Sequence, residues 1–397
     1  MVSEDRWLLP EGIEEILPDE AAHLEQLRTR VLALFAGWGY RLVIPPMIEF
    51  LESLLVGTGH DLDLQTFKLI DQVSGRLMGL RADMTPQVAR IDARTAQGAR
   101  PARFCYLGTV LHSRSDHLDP SRSPLQVGAE LYGHGGPASD LEVIRLMLEM
   151  LAVAGILDVH LDLGHVGIYR GLARQAGLNS EQEAELFEIL QRKDRSGLED
   201  FLRGTAMPAA VADNLAALLE LNGPDGVLEV ARARLSAGGP RVRAALEELE
   251  ALAGQLARLF PALPINFDLA ELRGYHYQTG IVFAAFVPTH GREIARGGRY
   301  DDIGKVFGQA RPATGFSADL KVLARLGCAD APTEHAAAIF APALDDPDLH
   351  ETVRRLRGAG HVVIQELPGQ SGGAAEMGCA LRLERQGQTW QLSKVGD

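Results

Sequence analysis

Two glycine-rich stretches decide the fold of this chain: Arg273-Gly274-Tyr275-His276-Tyr277-Gln278-Thr279-Gly280 and Arg296-Gly297-Gly298-Arg299-Tyr300-Asp301. Neither has the G-x-G-x-x-G spacing of a dinucleotide-binding turn or the G-x-x-x-x-G-K-[ST] spacing of a P-loop. Both place arginine and tyrosine side chains next to backbone that has no Cβ atom. The two stretches therefore predict neither a dinucleotide fingerprint nor a P-loop.

Two stretches further upstream complete the set: Leu80-Arg81-Ala82-Asp83-Met84-Thr85 and Phe104-Cys105-Tyr106-Leu107-Gly108. In this order the four blocks resemble the catalytic core of histidyl-tRNA synthetase, a class II aminoacyl-tRNA synthetase domain. The resemblance covers about residues 5–325 and implies an α+β fold with an antiparallel sheet flanked by helices. Strands joined by hairpins, with polar alternation, also favour an antiparallel sheet over a parallel one.

The beginning of the chain is similar to motif 1 of class II synthetases. A helix is predicted over residues 19–36, with Asp19 as its N-cap. A strand over residues 40–44 should then end at Pro45-Pro46. Motif 1 is the usual dimerisation element of these proteins, so the resemblance implies that the chain forms a self-dimer through this region.

The resemblance implies a class II synthetase-like core over residues 1–325. The pattern breaks near residues 326–331, and a small C-terminal α/β domain is predicted over residues 326–397. A helical insertion occupies about residues 178–260 of the core. The C-terminal part is shorter than the anticodon-binding domain of a synthetase. Other strands are predicted over residues 66–71, 76–81, 102–111, 159–163, 264–269, 280–283, 336–340 and 361–365, and other helices over residues 86–96, 140–154 and 347–357.

The composition of the 397-residue chain restricts its partners. Lys+Arg number 39 and Asp+Glu 53, and the resulting formal net charge of -14 opposes a phosphate backbone. The cysteines, Cys105, Cys328 and Cys379, have no CxxC spacing, and the histidines do not converge on a metal. We predict a cytoplasmic protein with no cofactor, no metal, no nucleic-acid partner and no membrane contact.

A pocket for a free histidine needs acceptors for the ammonium, a guanidinium for the carboxylate and a polar group for the ring. The resemblance implies that Asp83 and Thr85 lie near the ammonium, and that Gln126 and Glu130 contact the amino-acid backbone and the ring. Arg273 begins the block that resembles the histidine-specific motif. The implied histidine-binding set is Asp83, Thr85, Gln126, Glu130, Arg273, Tyr277 and Tyr300.

Each of these residues also has a purely structural interpretation. Asp83 could cap the helix that follows it, and Gln126 and Glu130 could be solvated positions on a strand. The tyrosines could belong to the core, and Arg273 could be a surface charge. Gln278 departs from the family, which has a ring-contacting tyrosine at this position; an amide can still donate and accept hydrogen bonds.

The positions that would handle ATP differ from those of a synthetase. The family's motif 2 reads F-R-x-E, and this chain has Leu111-His112-Ser113-Arg114. Val322 stands where motif 3 ends in arginine, and the neighbouring Lys321 lacks the bidentate guanidinium fork. Fixed guanidinium groups stabilise the charge that develops during adenylation, so both losses together should remove several kcal/mol, roughly, of transition-state stabilisation.

A synthetase core with a kept amino-acid pocket and altered ATP positions resembles the regulatory subunits of ATP phosphoribosyltransferase. The resemblance implies a non-catalytic subunit that assembles with a short-form catalytic subunit in the first step of histidine biosynthesis. Histidine would be the feedback effector. Two alternatives remain: an active, divergent histidyl-tRNA synthetase that uses Arg114 and Lys321, and an amino-acid-binding paralogue that serves another enzyme.

Overall fold

The computed structural model describes residues 7–55, 60–95, 100–115, 121–224, 226–270, 277–308, 311–327 and 338–395. The chain forms two compact units, Met1–Cys328 and Ala329–Asp397. Within the described ranges no helix is long and apolar enough to span a bilayer. Within the same ranges, no group of three or more His, Cys, Asp and Glu side chains is arranged to hold a metal ion.

The first unit alternates short strands with helices. Its helices are α1 Pro18–Gly37, α2 Leu51–Leu54, α3 His60–Gln65, α4 Thr85–Thr95, α5 Pro137–Val153, α6 Val166–Ala176, α7 Ser180–Gln191, α8 Arg195–Gly204, α9 Ala209–Ala217, α10 Gly226–Arg234, α11 Gly239–Leu259 and α12 Leu320–Leu326. Its strands are β1 Arg41–Leu42, β2 Ile48–Phe50, β3 Lys68–Ile70, β4 Leu77–Leu80, β5 Ala102–Thr109, β6 Leu125–Tyr132, β7 His160–His165, β8 Asn222–Gly223, β9 Ile265–Asp268, β10 Ile281–Phe286, β11 Ala295–Arg299 and β12 Ala313–Asp319. Two 3-10 helices span Leu218–Glu220 and Ile303–Phe307.

The main sheet contains nine strands within the described residues, in the order β1-β5-β6-β12-β11-β10-β7-β9-β8. Every pair from β5 to β7 in this order is antiparallel. Parallel pairing occurs near the edges, between β1 and β5 and between β7 and β9. The predicted α+β fold with an antiparallel, helix-flanked sheet is confirmed.

The two faces of this sheet have different surroundings, because alternate residues of a strand point to opposite sides. The back face carries apolar residues such as Val127, Ala129 and Phe316, which are buried against α1 and α5 in the main core. The rings of Phe35 and Phe316 meet edge to face with centroids 6.0 Å apart. The front face carries Glu130 and its partner across the strands, Gly315, and it is therefore the face that can hold a polar site.

The first helix begins one residue earlier than predicted, and the predicted Asp19 cap is wrong. Leu17 is the N-cap residue and makes no side-chain hydrogen bond, while Pro18 occupies the start of the helix. Proline fits this position because its fixed φ is helical and its missing N–H would have had no partner there. Asp19 lies in the first turn, where its negative charge complements the helix dipole.

The predicted strand over residues 40–44 is shorter in the structure. β1 has two residues, although the Val43 N–H continues the pairing by donating to the Cys105 carbonyl at 2.9 Å. The predicted hairpin at Gly75 is confirmed: β3 and β4 are antiparallel, with Lys68 opposite Gly79. Gly75 has φ +71°, a backbone conformation that favours glycine.

The segment from Ser180 to Leu259 is almost entirely helical, as its period predicts. α11 packs Leu249, Leu252 and Leu256 into the main core. The two-residue strand β8 was not predicted; it pairs with β9 and extends the sheet by one strand.

The second unit is a small α/β structure with its own core. It contains β13 Ile339–Ala341, α13 Pro347–Gly358, β14 Val363–Gln365, β15 Leu381–Gln386 and β16 Thr389–Lys394, with strand order β14-β13-β15-β16. Ile339, Leu349 and Val353 are buried between the helix and the sheet. The side chain of Asp346 accepts hydrogen bonds from two backbone N–H groups at the start of α13 and so caps this helix.

Candidate functional site

A row of glycines crosses the front face of the sheet and leaves room for side chains to lie flat on it. An ideal Cβ atom on Gly315 would lie 1.5 Å from Oε2 of Glu130, and one on Gly128 would lie 2.4 Å from the hydroxyl of Tyr106. An ideal Cβ on Gly298 would lie 2.8 Å from Nε2 of Gln278. The glycines therefore form the floor on which the polar side chains of the site rest.

Glu130 is the central acid of this site. Its side chain is buried, and the residue is 1% exposed. Tyr106 donates a hydrogen bond to Oε1 at 2.9 Å, and Tyr300 donates to Oε2. Burial raises the pKa of Glu130 to about 8, although the two tyrosine hydroxyls favour the charged form. The carboxyl group is thus fixed in position and held in an environment that would favour a cationic or N–H donor ligand.

Asp83, Thr85 and Gln126 meet at the neighbouring part of the front face. Gln126 donates from Nε2 to Oδ1 of Asp83 at 2.7 Å and accepts a hydrogen bond from the backbone N–H of Met84 at 2.9 Å. Oδ1 of Asp83 also accepts from the backbone N–H of Thr85 at 3.0 Å. Asp83 therefore contacts the start of α4, as its structural interpretation requires, and at the same time contacts Gln126, as the pocket interpretation requires.

The two groups of residues are connected. The hydroxyls of Thr85 and Tyr106 are 3.2 Å apart, and Tyr106 bonds Glu130. A continuous chain of polar contacts thus runs from Gln126 through Asp83 to Glu130. The structure thus brings the carboxyl groups of Asp83 and Glu130 and the amide of Gln126 together on one face of the sheet.

The two predicted pocket tyrosines are neighbours. The rings of Tyr277 and Tyr300 meet edge to face with centroids 6.3 Å apart. Tyr300 is buried in a cluster formed by α4, β5 and the Ile303–Phe307 turn, and Tyr277 packs against this cluster. Burial raises the pKa of Tyr277 to about 12. Both rings therefore pack in the core and also border the site.

Arg273 lies outside the described residues, so its predicted contact with the ligand carboxylate stays a prediction. Gln278 is described and is 6% exposed. Its Oε1 is buried and makes no hydrogen bond to any described residue. A buried acceptor without a partner is costly, so this oxygen is available to a donor on a ligand.

Sequence reasoning missed the residue that holds the second glycine-rich stretch in place. Arg299 points to the back face, where Nη2 lies 2.9 Å from Oδ1 of Asp140. Nη1 donates to Oδ1 of Asp301 at 3.1 Å, and the same oxygen accepts from the backbone N–H of Ala313 at 3.0 Å. Successive side chains of a strand point to opposite faces, so the sequence could have shown that Arg299 faces away from the site if Tyr300 faces it.

Two of the positions that handle ATP in a synthetase, and the neighbouring Lys321, are engaged in other contacts. Nε2 of His112 lies 3.0 Å from the carbonyl oxygen of Ala82, and Val322 packs against the main core. Nζ of Lys321 lies 3.2 Å from Oε1 of Glu14, and the side chain of Lys321 is 8% exposed. The charge of this lysine is therefore neutralised within the protein. Arg114 is exposed and forms no ion pair with any described residue.

Comparison with known proteins defines the family. The family profile for histidyl-tRNA synthetase matches residues 12–323, and the profile for the ATP phosphoribosyltransferase subunit HisZ C-terminal domain matches residues 336–393. An ATP phosphoribosyltransferase regulatory subunit from Methylococcus capsulatus is 64% identical over 394 residues, which cover 99% of this chain and 97% of the relative. The chain belongs to the family of ATP phosphoribosyltransferase regulatory subunits. A second member, from Thioalkalivibrio sulfidiphilus, is 59% identical over the full length of both chains.

Solved structures agree with this family assignment. A Bacillus halodurans protein described as an ATP phosphoribosyltransferase regulatory subunit/histidyl-tRNA synthetase superposes with a TM-score of 0.81 at 27% identity, covering 93% of this chain and 95% of that protein. Histidyl-tRNA synthetase from Nostoc has a TM-score of 0.74 at 20% identity, with 95% and 91% coverage. The second comparison shows that this regulatory-subunit family shares the synthetase fold.

The raised pKa of Glu130 predicts how the stability of this family member depends on pH. A carboxyl whose pKa is about 8 when folded, and near 4.3 when unfolded, binds its proton more tightly in the folded state. Its contribution to stability is complete below about pH 4 and is lost as the pH rises toward 8. We expect the unfolding free energy of the wild type, minus that of Glu130→Gln, to fall by at least about 1 kcal/mol between pH 5 and pH 8.

Urea denaturation of both proteins across this range measures the difference. The glutamine variant is the matched reference, because its amide has nearly the same shape and does not titrate. A difference that stays constant or rises with pH would contradict the assigned environment of Glu130.

Proposed function

We propose that this chain is the histidine-sensing, non-catalytic regulatory subunit of an ATP phosphoribosyltransferase, and that it confers feedback inhibition by histidine on a separate catalytic subunit. One observation carries the proposal. An amino-acid site of connected polar groups, from Gln126 through Asp83 to Glu130, stands beside altered ATP positions, where His112 contacts a carbonyl oxygen and Lys321 is paired with Glu14. The family names of its relatives supply the reaction that is regulated.

The chemistry of the site fits the three groups of a free histidine. Asp83 and Gln126, with the hydroxyl of Thr85, would accept hydrogen bonds from the ammonium. Glu130, braced by two tyrosine hydroxyls, would accept from a ring N–H. Arg273 would bind the carboxylate as the sequence predicts, since a guanidinium fork matches its two oxygens.

The altered ATP positions support a sensing role over an active synthetase. His112 is a poor replacement for a fixed guanidinium, and its imidazole already contacts the Ala82 carbonyl. Val322 is apolar and packs inward. Lys321 would have to leave Glu14 before it could meet a phosphate, and its buried ammonium group would lose that carboxylate contact. The site therefore supports binding without adenylation.

Regulation requires that histidine favour one state of the assembled enzyme over another. The required coupling is a free energy between two sites, typically about 1–3 kcal/mol, and it acts equally in both directions.

The proposed self-dimer would use the region around β1, where Leu42 is 47% exposed and Ile44 82% exposed. Exposed apolar side chains of this kind are common in protein interfaces.

Reconstitution with a short-form catalytic subunit tests the proposal. We expect Arg273→Ala to raise the histidine concentration for half-inhibition by at least about 10-fold, equal to about 1.4 kcal/mol of lost binding. Arg258→Ala on α11 removes an exposed arginine elsewhere and serves as the control. Phosphoribosyl transfer is measured against histidine concentration for all three complexes. Unchanged inhibition in Arg273→Ala would contradict the proposed role.

A further inference from the structure

Arg81 carries a buried positive charge that no described carboxylate neutralises. The residue is 7% exposed. Its Nε donates to the Thr109 carbonyl at 2.9 Å, and its Nη1 donates to the Pro45 carbonyl at 2.7 Å. Burial lowers the pKa of this guanidinium, and no acidic group of the described protein offsets that effect.

Two other arginines are paired: Arg299, which is 7% exposed, and Arg311, whose side chain is 11% exposed. Arg299 is bound by Asp140, and Arg311 is bound by Asp92 with Nη1 2.6 Å from Oδ1. Buried charges in proteins are as a rule paired with an opposite charge, because removing an ion from water without compensation is expensive. Arg81 lacks such a partner within the described residues, so its environment favours an anion supplied from outside.

The guanidinium of Arg81 lies on the front face, next to the proposed amino-acid site. An ideal Cβ atom on Gly108 would lie 2.6 Å from its Nη2. Gly108 alternates in phase with Tyr106, whose hydroxyl reaches Glu130, so both residues face the same side. Gly108 is also the direct partner of Gln126 across the strands. Neighbouring strands lie about 4.8 Å apart, so Nη2 is roughly one strand spacing from the residue that holds Asp83.

We infer that Arg81 binds the α-carboxylate of the amino acid in this site, through its Nη2 group. The inference rests on the proposed histidine-binding function and adds a residue to it. The ammonium and the carboxylate of an amino acid share one carbon atom, so their partners must be neighbours. Asp83 and Gln126 supply the acceptors, and Arg81 supplies the adjacent donor. Its Nη2 makes no hydrogen bond to any described residue, which leaves its N–H groups to the ligand.

Calorimetry with two ligands tests this role without relying on activity. Histidinol keeps the ammonium and the imidazole of histidine but has an alcohol in place of the carboxylate. We expect the wild type to bind histidine at least about 10-fold more tightly than histidinol. In Arg81→Gln this preference for histidine should fall by at least about 3-fold, and the preference that remains is the part that Arg273 would supply. The methyl group of Gly108→Ala would displace Nη2 of Arg81, so this variant should lower the ratio of histidine affinity to histidinol affinity in the same way.

The matched control is Arg103→Lys. Arg103 lies on β5, the strand that carries Gly108, but it faces the other side of the sheet and is paired with Glu142 at 2.7 Å. The ratio of histidine affinity to histidinol affinity should therefore stay at its wild-type value. The inference would be overturned if Arg81→Gln kept the wild-type ratio of histidine affinity to histidinol affinity. If Arg81→Gln does not fold, the same result in Gly108→Ala would overturn it. The inference would also be overturned if Arg81→Gln lost binding of inorganic pyrophosphate while its histidine-to-histidinol affinity ratio stayed unchanged. That result would mean that Arg81 binds a phosphate group. A wild-type protein that binds neither amino compound would instead refute the proposed function.

Discussion

Glu130→Gln is expected to weaken histidine binding by about 100-fold, or about 2.7 kcal/mol. In the empty site the carboxyl group is buried and its pKa is raised to about 8. A ring N–H or imidazolium would stabilise the charged form, and binding would lower this pKa. An amide cannot become an anion, and its NH₂ group would face the hydroxyl of Tyr106 or Tyr300. The variant therefore loses both the charge and the geometry of the acceptor.

Isothermal titration calorimetry at pH 7 measures this effect directly. Glu142→Gln is the matched control, because Glu142 also accepts from a tyrosine, Tyr40, at 3.1 Å but lies on α5 behind the sheet. It should bind histidine within about 2-fold of the wild type. A loss of less than about 3-fold in Glu130→Gln would mean that the ring is recognised elsewhere.

Gly297→Ala is expected to destabilise the first unit by about 3 kcal/mol or more. An ideal Cβ atom at this position would lie 2.2 Å from the backbone oxygen of Gly315 and 2.5 Å from Cζ of Phe283. Neither neighbour can give way easily, because one is backbone of the adjacent strand β12 and the other is a buried ring. The strands would have to separate, and the floor of the site would separate with them.

Gly254→Ala is the control for this substitution. Gly254 lies within α11, and the atom nearest to an added Cβ is Nη1 of Arg258 at 3.8 Å. Alanine there should stabilise the protein by about 0.5–1 kcal/mol, because it favours the helix. The midpoint of chemical denaturation measures both changes. Equal midpoints for Gly297→Ala and the wild type would contradict the close strand contact.

The sequence allows much of the fold to be predicted, because its signals are local. Helical period identifies α1, α5 and α11, and Gly75 identifies the β3–β4 hairpin. Boundaries are less secure, since neighbouring signals compete. At the start of α1 proline at the first helical position outweighs the capping preference of Asp19. The two-residue β8 has no signal of its own and exists because β9 offers it an edge.

The candidate site depends on strand pairing, which is not local. The contact of Gln126 with Asp83 requires that β6 lie beside the turn that precedes α4. The family resemblance supplies this arrangement, whereas periodicity does not. The resemblance also has a limit: Arg81 and Tyr106 stand in the blocks that carry it, but it assigned neither of them a role in the pocket. Burial and the absence of a described counter-charge reveal Arg81 only when the surrounding carbonyls are known.

The arrangement gives a physical account of how a catalytic fold can become a sensor. The proposed amino-acid site and the positions that would handle ATP are different groups of residues. The polar chain through Glu130 is complete although His112 and Val322 stand at the ATP positions, and the neighbouring Lys321 is paired with Glu14. Binding energy that an enzyme would use in a transition state then becomes available to favour one state of an assembly.

The most direct test of the central claim is histidine-dependent ATP–pyrophosphate exchange by the purified chain, with calorimetry of histidine binding on the same sample. The account predicts saturable histidine binding and no exchange above background. Exchange above background would show that adenylation survives with His112 and Val322 in place of the arginines, and it would contradict the assignment of this site to sensing.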